Sequence, residues 1–279
     1  MHGFLSLPHR SAKPRESGIT HVLDKGLGLR QIEDMLATAS DYIDIVKFGW
    51  GTGYLTQNIE AKIAAYRSAG IATCFGGTLL ELAIIQDRFD ECRRQLRRLG
   101  LTHVELSTGI IELTPEERHR YIRTLARDFI VLSEVGSKDA TRIMAPYRWV
   151  EQTEADLAAG SWRVICEARE SGTVGIYHSN GEVKAGLIEE LVAKVDPSRL
   201  LFEAPQKEQQ AWLVQNFGSN VNLGNIATTD VIALETIRVG LRADTMAHIF
   251  DVEAWNAHRT GGPVSPKTEM GGGGQGRGR

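Results

Sequence analysis

Four short apolar runs each place a glutamate near their carboxyl ends: HVELSTG (103–109), FIVLSEVGSKD (129–139), RVICEARES (163–171) and RLLFEAPQK (199–207). In an extended chain alternate residues share a face, so Glu105 lies with His103 and Ser107, Glu134 with Ile130 and Leu132, Glu167 with Ile165 and Arg169, and Glu203 with Leu201. If these runs are neighbouring strands, the carboxylates converge at one end of a sheet. Burying that much negative charge without compensation costs many kcal/mol, and a divalent cation is the natural compensator. Oxygen-rich ligation favours Mg²⁺, with Mn²⁺ also suited, over zinc. Glu105, Glu134 and Glu167 are the expected ligands, with Glu203 beside them.

Cations occupy the corresponding ends of other runs: Lys25, Lys47, Lys138 in VGSKD, and Arg169. They would complement an anionic substrate. Lys47 sits in the apolar frame IVKFGWG, where partial burial is expected to lower its pKa and suit it to acid-base work. Asp44 has the opposite alternation, which favours a structural role. Glycine-bearing turns at GWGTG (49–53), FGGT (75–78) and LGNIATTD (223–230) could offer backbone amides to phosphate. The last is preferred, which makes Asn222, Gly224 and Asn225 candidate phosphate-binding residues. No Walker loop, GxSxG elbow or HExxH helix is present, and among the histidines only His178, in a long loop, is placed for chemistry.

The elements that must position these residues alternate regularly. Strand-like runs near 20–26, 42–51, 71–77, 103–109, 129–135, 162–167, 200–205 and 220–225 are each followed by helical periodicity. Thr114-Pro115-Glu116-Glu117 combines a capping-box spacing with proline at the first helical position. Eight strand-helix units in this length predict an α/β fold, a closed parallel (β/α)₈ barrel, with an open doubly wound sheet as the alternative. The barrel is expected over 18–250, with an N-terminal arm at 1–17 and a C-terminal extension at 251–279 that ends in the flexible, glycine-rich GGGGQGRGR. The chain has 279 residues, 42% hydrophobic and 24% charged, with a net charge of −3, which gives no general attraction to nucleic acid or anionic membrane. Cys74, Cys92 and Cys166 lack the spacing of a disulfide framework or a zinc site. With no secretory or membrane-spanning run, a cytoplasmic protein is expected, assembled as a homo-oligomer.

The stretches KPRESGITHVLDKGLGL, YIDIVKFGWGT, GGTLLELAI, SEVGSKD, EARESGTVGIY, SNGEV, LLFEAPQKEQQ and NLGNIATTDVIALETIRVGLRADT run through most of residues 13–245. Together they closely resemble the phosphosulfolactate synthase family, which includes heat-stress-associated plant relatives. The resemblance implies a (β/α)₈ lyase that adds sulfite to phosphoenolpyruvate with Mg²⁺, giving (2R)-2-O-phospho-3-sulfolactate, a step towards coenzyme M in some organisms. It implies Lys138 as the acid that protonates carbon 2. The chain departs from the family pattern at Thr108, where aspartate is common, at His178, where an acid is expected, and at Cys74-Phe75, where tyrosine-proline is usual. These departures leave open a different nucleophile at the same site, or a non-catalytic stress-associated member.

Overall fold

The structure, a computed structural model, describes residues 3–136 and 144–260. Strand and helix alternate from the outset: β1 (Thr20–Asp24), α1 (Leu29–Ala39), β2 (Ile45–Phe48), α2 (Thr52–Leu55), α3 (Ile59–Ser68), β3 (Ala72–Phe75), α4 (Gly77–Ile85), α5 (Phe89–Arg98), β4 (His103–Leu106) and α6 (Pro115–Leu125). The second half continues with β5 (Ile130–Val135), α7 (Pro146–Ala159), β6 (Arg163–Cys166), α8 (Ala185–Lys194), β7 (Leu200–Glu203), α9 (Lys207–Phe217), β8 (Leu223–Ala227), α10 (Val231–Arg238), α11 (Ala243–Ile249) and α12 (Val252–Thr260). All strand pairs are parallel, in the order β3-β2-β1-β8-β7-β6-β5-β4. β3 and β4 lie side by side at the remaining seam, so the sheet is a nearly closed (β/α)₈ barrel and the open-sheet alternative falls.

Local signals explain the element ends. At α6 the Thr114 side chain accepts from the Glu117 amide and the Glu117 carboxylate accepts from the Thr114 amide, with Pro115 in the first turn. The helical sequence between residues 77 and 98 is two helices because Asp87 adopts φ 54°, a left-handed conformation that interrupts the hydrogen-bond ladder. Within the C-terminal extension, α12 follows directly on residue 251.

The barrel interior is layered. Ile19, Ile45, Cys74, Leu132, Ile165 and Leu201 form a buried apolar plug in the lumen. Two residues further along several of these strands come His21, Lys47, Glu134, Glu167 and Glu203, all buried. The inward-facing set thus changes from apolar to ionisable towards the carboxyl ends. At the opposite end the N-terminal arm is pinned by charge. Arg10 donates to Glu235 at 2.8 Å and to Asn220 at 2.7 Å, Arg15 donates to Asp44 at 3.0 Å, and Lys13 reaches the Ser40 carbonyl at 3.0 Å. Asp44 also accepts from the Thr20 amide, the structural role its alternation suggested. The arm closes the amino end and leaves the carboxyl end as the open mouth. No helix among the described residues is long and apolar enough to cross a membrane.

Candidate active site

Lys47 is the hub of the mouth. Its ammonium lies 3.2 Å from Glu203 Oε1 and 3.4 Å from Glu105 Oε2. Glu105 is also hydrogen-bonded to Glu134, and its Oε1 lies 3.1 Å from His21 Nε2. Glu203 is fixed from the other side by the Ala168 amide, at 2.8 Å. Lys47, Glu105, Glu134 and Glu203 face one pocket that opens to solvent. Three of the four sequence-predicted glutamates therefore meet around one lysine. The fourth, Glu167, is buried beside Gly136, where a Cβ would fall 2.8 Å from that of Glu167.

Burial decides the protonation of this group. It pushes Glu105 up to about 8 and Glu203 up to about 7; Lys47 opposes both shifts and the neighbouring carboxylates add to them. The expectation that Lys47 would be acidified is corrected. Burial alone pulls it down, but Glu105, Glu203 and Glu134 outweigh burial and hold the ammonium well above the ordinary lysine range. His21 is held well below its usual range by burial and by Lys47, against a pull from Glu134, so the imidazole is neutral. One lysine does not balance three buried carboxylates, and protons make up the difference. An additional hard cation fits this donor set, because carboxylate oxygens are its preferred ligands and two of them otherwise retain protons.

A stability consequence follows. Between the ordinary glutamate range and about pH 8, the folded state holds protons on Glu105 and Glu203 that the unfolded chain has released. Stability therefore falls as pH rises through that window. Without divalent ions the apparent Tm should drop by ~5 °C or more between about pH 5.5 and about pH 8.5, and saturating Mg²⁺ should reduce the drop. Scanning calorimetry in chelator-treated buffer checks this, and a Tm that holds level or rises would show that the carboxyls are already ionised and compensated.

The LGN turn divides. Asn222 sits at the amino end of β8, where its Oδ1 accepts from the Ile19 amide and its Nδ2 donates to the Leu200 and Ser198 carbonyls. Its side chain is committed to the barrel floor, and its expected place at the phosphate is corrected. Gly224 faces the lumen, where a Cβ would lie 2.3 Å from Leu201 Cδ2 and 3.2 Å from His21 Nδ1. Asn225 does reach the pocket. It adopts φ 54°, a conformation asparagine tolerates better than most residues. The pairing of β1 with β8 slips between Thr20 and Val22, a bulge of the kind that re-aims a side chain. Asn225 Oδ1 is buried and has no hydrogen-bond partner. On the rim, Lys25 is half-exposed and paired with Glu170, and Arg169 is exposed in the turn closed by its amide bond to the Thr173 carbonyl. His178 is exposed, its amide bonded to the Glu182 carbonyl. Lys138 lies outside the described residues.

The family profile described as (2R)-phospho-3-sulfolactate synthase (ComA) matches residues 8–244. The chain belongs to the phosphosulfolactate synthase family. A phosphosulfolactate synthase of Bacillus subtilis (strain 168) is 45% identical over 244 residues, spanning 86% of this chain and 97% of that protein. One from Methanothermobacter thermautotrophicus is 42% identical over 248 residues, spanning 87% and 96%. Among solved structures, the YdjI aldolase of Escherichia coli K12 superposes with a TM-score of 0.51 over 85% of this chain and 90% of that one, at 13% identity, a likeness of fold alone.

Within this family member, several buried groups that sequence reasoning passed over hold the mouth in shape. Glu81 of α4 accepts from the amides of Gly109, Ile110 and Ile111 at 2.8–3.2 Å, and from the Ser107 hydroxyl, fastening the loop after β4. Arg118 of α6 pairs with Asp156, donates to the Glu134 carbonyl at 2.8 Å, and donates to Thr108 Oγ1 at 3.0 Å. Thr108 is thereby given a structural partner on a site strand's support. Asp24, at the end of β1, accepts from Lys62, Tyr66 and the amides of Gly26 and Leu27. Glu81 stands alone in the otherwise apolar helix GTLLELAII, and nothing in that pattern tells that its partners are the amides of the loop after β4.

The long loop after β6 depends on one glycine. Gly175 has φ 59°, and a Cβ there would fall 1.8 Å from the Glu167 carbonyl oxygen. Ile176 donates to that same carbonyl, so the loop cannot shift without breaking the bond. Gly175→Ala should cost ~3 kcal/mol or more, through overpacking and backbone strain, lowering Tm by ~6–12 °C. A thermal melt within ~2 °C of wild type would show that the loop can re-route.

Proposed function

We propose that this chain catalyses the addition of sulfite to carbon 3 of phosphoenolpyruvate, assisted by a divalent cation, with Mg²⁺ preferred and Mn²⁺ able to substitute, giving (2R)-2-O-phospho-3-sulfolactate. The observation that carries the reading is the set of three buried carboxylates gathered round one charged lysine at the barrel mouth, in a family whose named relatives are phosphosulfolactate synthases. Carbon 3 of phosphoenolpyruvate is electron-rich, so a nucleophile adds there only if the substrate carboxylate accepts the displaced electron pair. A hard divalent ion held by Glu105, Glu134 and Glu203, with Glu167 contributing through water, would supply the positive charge that makes this possible.

The chain's own groups do the rest. Lys47, buried and held charged, receives an anionic oxygen of the substrate without needing to reorganise. Asn225 turns an unpartnered amide side chain into the pocket, where its Nδ2 can donate to phosphate. Gly224 keeps the floor beneath it narrow, and Lys25 and Arg169 supply positive charge at the rim to draw in two polyanions. The sulfur lone pair forms the bond to carbon 3, the carbon 2–carbon 3 π pair moves to carbon 2 and its carboxylate, and carbon 2 then takes a proton. Lys138, directly after β5 in the SEVGSKD segment, is the proposed donor.

Incubation of purified protein with phosphoenolpyruvate, sulfite and Mg²⁺, followed by mass spectrometry, tests the reading. The expected product carries the mass of phosphoenolpyruvate plus the elements of sulfurous acid. Unchanged phosphoenolpyruvate would overturn the assignment, and adducts that form only with other nucleophiles would assign the site to a different acceptor.

A further inference from the structure

Beneath the mouth, on the lumen side of Glu105, that carboxylate meets two further donors, Cys74 and His21, that the proposed reaction does not use. Cys74 Sγ is 3.9 Å from His21 Nε2 and 3.9 Å from Glu105 Oε1, and the two latter atoms are 3.1 Å apart. All three residues have no exposed surface. As a hydrogen-bonded cluster the group is poorly satisfied. The sulfur distances are at the outer limit of hydrogen bonding, and His21 Nδ1 has no partner. Polar groups buried in a barrel lumen ordinarily earn their place through stronger bonds than these.

The geometry points to a binding site for a thiophilic divalent ion such as Zn²⁺, ligated by Cys74 Sγ, His21 Nε2 and Glu105 Oε1. Zinc bond lengths to sulfur, nitrogen and oxygen at tetrahedral angles require ligand separations of ~3.6, ~3.6 and ~3.3 Å. The observed 3.9, 3.9 and 3.1 Å need only a few tenths of an ångström of closure. Charge also balances, because a thiolate, a carboxylate and a neutral imidazole neutralise a dication. Binding releases to solvent the Cys74 thiol proton and the proton that Glu105 holds in the metal-free protein. Soft sulfur and imidazole select Zn²⁺ or Co²⁺, whereas the all-oxygen set above suits Mg²⁺. Glu105 joins the two regions: Oε1 faces Cys74 and His21, while Oε2 faces Lys47. The ion would therefore draw on a carboxylate that the mouth also uses, while leaving its contact with Lys47 in place. Entry is from the pocket, whose lining includes Glu105.

Cobalt reports this site independently of turnover. Chelator-treated full-length protein titrated with Co²⁺ should show, at one equivalent, a near-ultraviolet thiolate-to-cobalt charge-transfer band and the intense visible bands of tetrahedral Co²⁺. Zn²⁺ should bleach both, and excess Mg²⁺ should leave them. Cys74→Ser should remove the charge-transfer band, while Cys92→Ser, which changes a partly exposed thiol elsewhere, should retain it. A wild-type Co²⁺ complex without that band, or a band that survives Cys74→Ser, overturns the proposal. X-ray absorption on wild-type Co²⁺ protein keeps the test valid should Cys74→Ser fail to fold: one sulfur neighbour is expected, and none would overturn it. Failure here would leave the sulfite-addition reading untouched, since no step of that reaction uses Cys74.

Discussion

Lys47→Met should reduce turnover by ~10²–10³-fold or more and destabilise the metal-free protein by ~3–5 kcal/mol, the scale seen when one partner is removed from a buried charge group. The ammonium lies within 3.4 Å of both Glu105 and Glu203 and so bridges two buried carboxylates from different strands. Methionine keeps the bulk and removes the charge. Because Lys47 lowers the pKa of both carboxyls, its loss drives them further up, and they answer by holding protons. The destabilisation should therefore be larger at about pH 8 than at about pH 6, where protonated carboxyls need no counter-charge. Calorimetry at the two pH values, with steady-state kinetics at each, reads both parts. Near-normal turnover in the variant would remove Lys47 from the site.

Lys138→Met should lower the rate by ~10²–10⁴-fold, the usual cost of losing a general acid, while substrate binding survives much better. The variant keeps a side chain of similar length at the end of the segment that follows Glu134, and Gly136, at φ 141°, turns the chain immediately after β5. In D₂O the wild type should place deuterium at carbon 2 on a single face, and the variant should do so slowly or not at all. Unchanged rate and facial selectivity would move the role elsewhere, with Lys47 and Lys25 the next to vary.

Much of the fold was legible because strand-helix alternation is written in local periodicity, and eight repeats leave few architectures. The inward phase of Glu105, Glu134 and Glu203 was legible for the same reason: alternation along a strand fixes which face a residue takes. Height in the barrel was not. Asn222 and Gly224 share a phase, yet the asparagine serves the amino end and the glycine lies beside His21, because depth depends on how eight strands stagger against one another. Asn225 reached the pocket through a bulge that breaks the alternation. The direction of the Lys47 shift was misread because burial was visible in its apolar frame, whereas its three carboxylate neighbours come from β4, β5 and β7. Glu81 and Arg118 were missed because their partners are loop amides and a strand carbonyl, which leave no pattern in sequence.

Product formation measured against metal content is the most direct test that the buried carboxylates work by holding a cation. Wild type and Glu105→Gln are stripped with chelator, returned to buffer with or without Mg²⁺, supplied with phosphoenolpyruvate and sulfite, and followed by ³¹P NMR, with far-ultraviolet circular dichroism confirming that the barrel stays folded throughout. The expected result is a new phosphate ester from Mg²⁺-restored wild type, none from the stripped enzyme, and a rate at least ~10²-fold lower from Glu105→Gln even with Mg²⁺ present. Full-rate product formation by stripped wild type in rigorously metal-free buffer is the result that would contradict it.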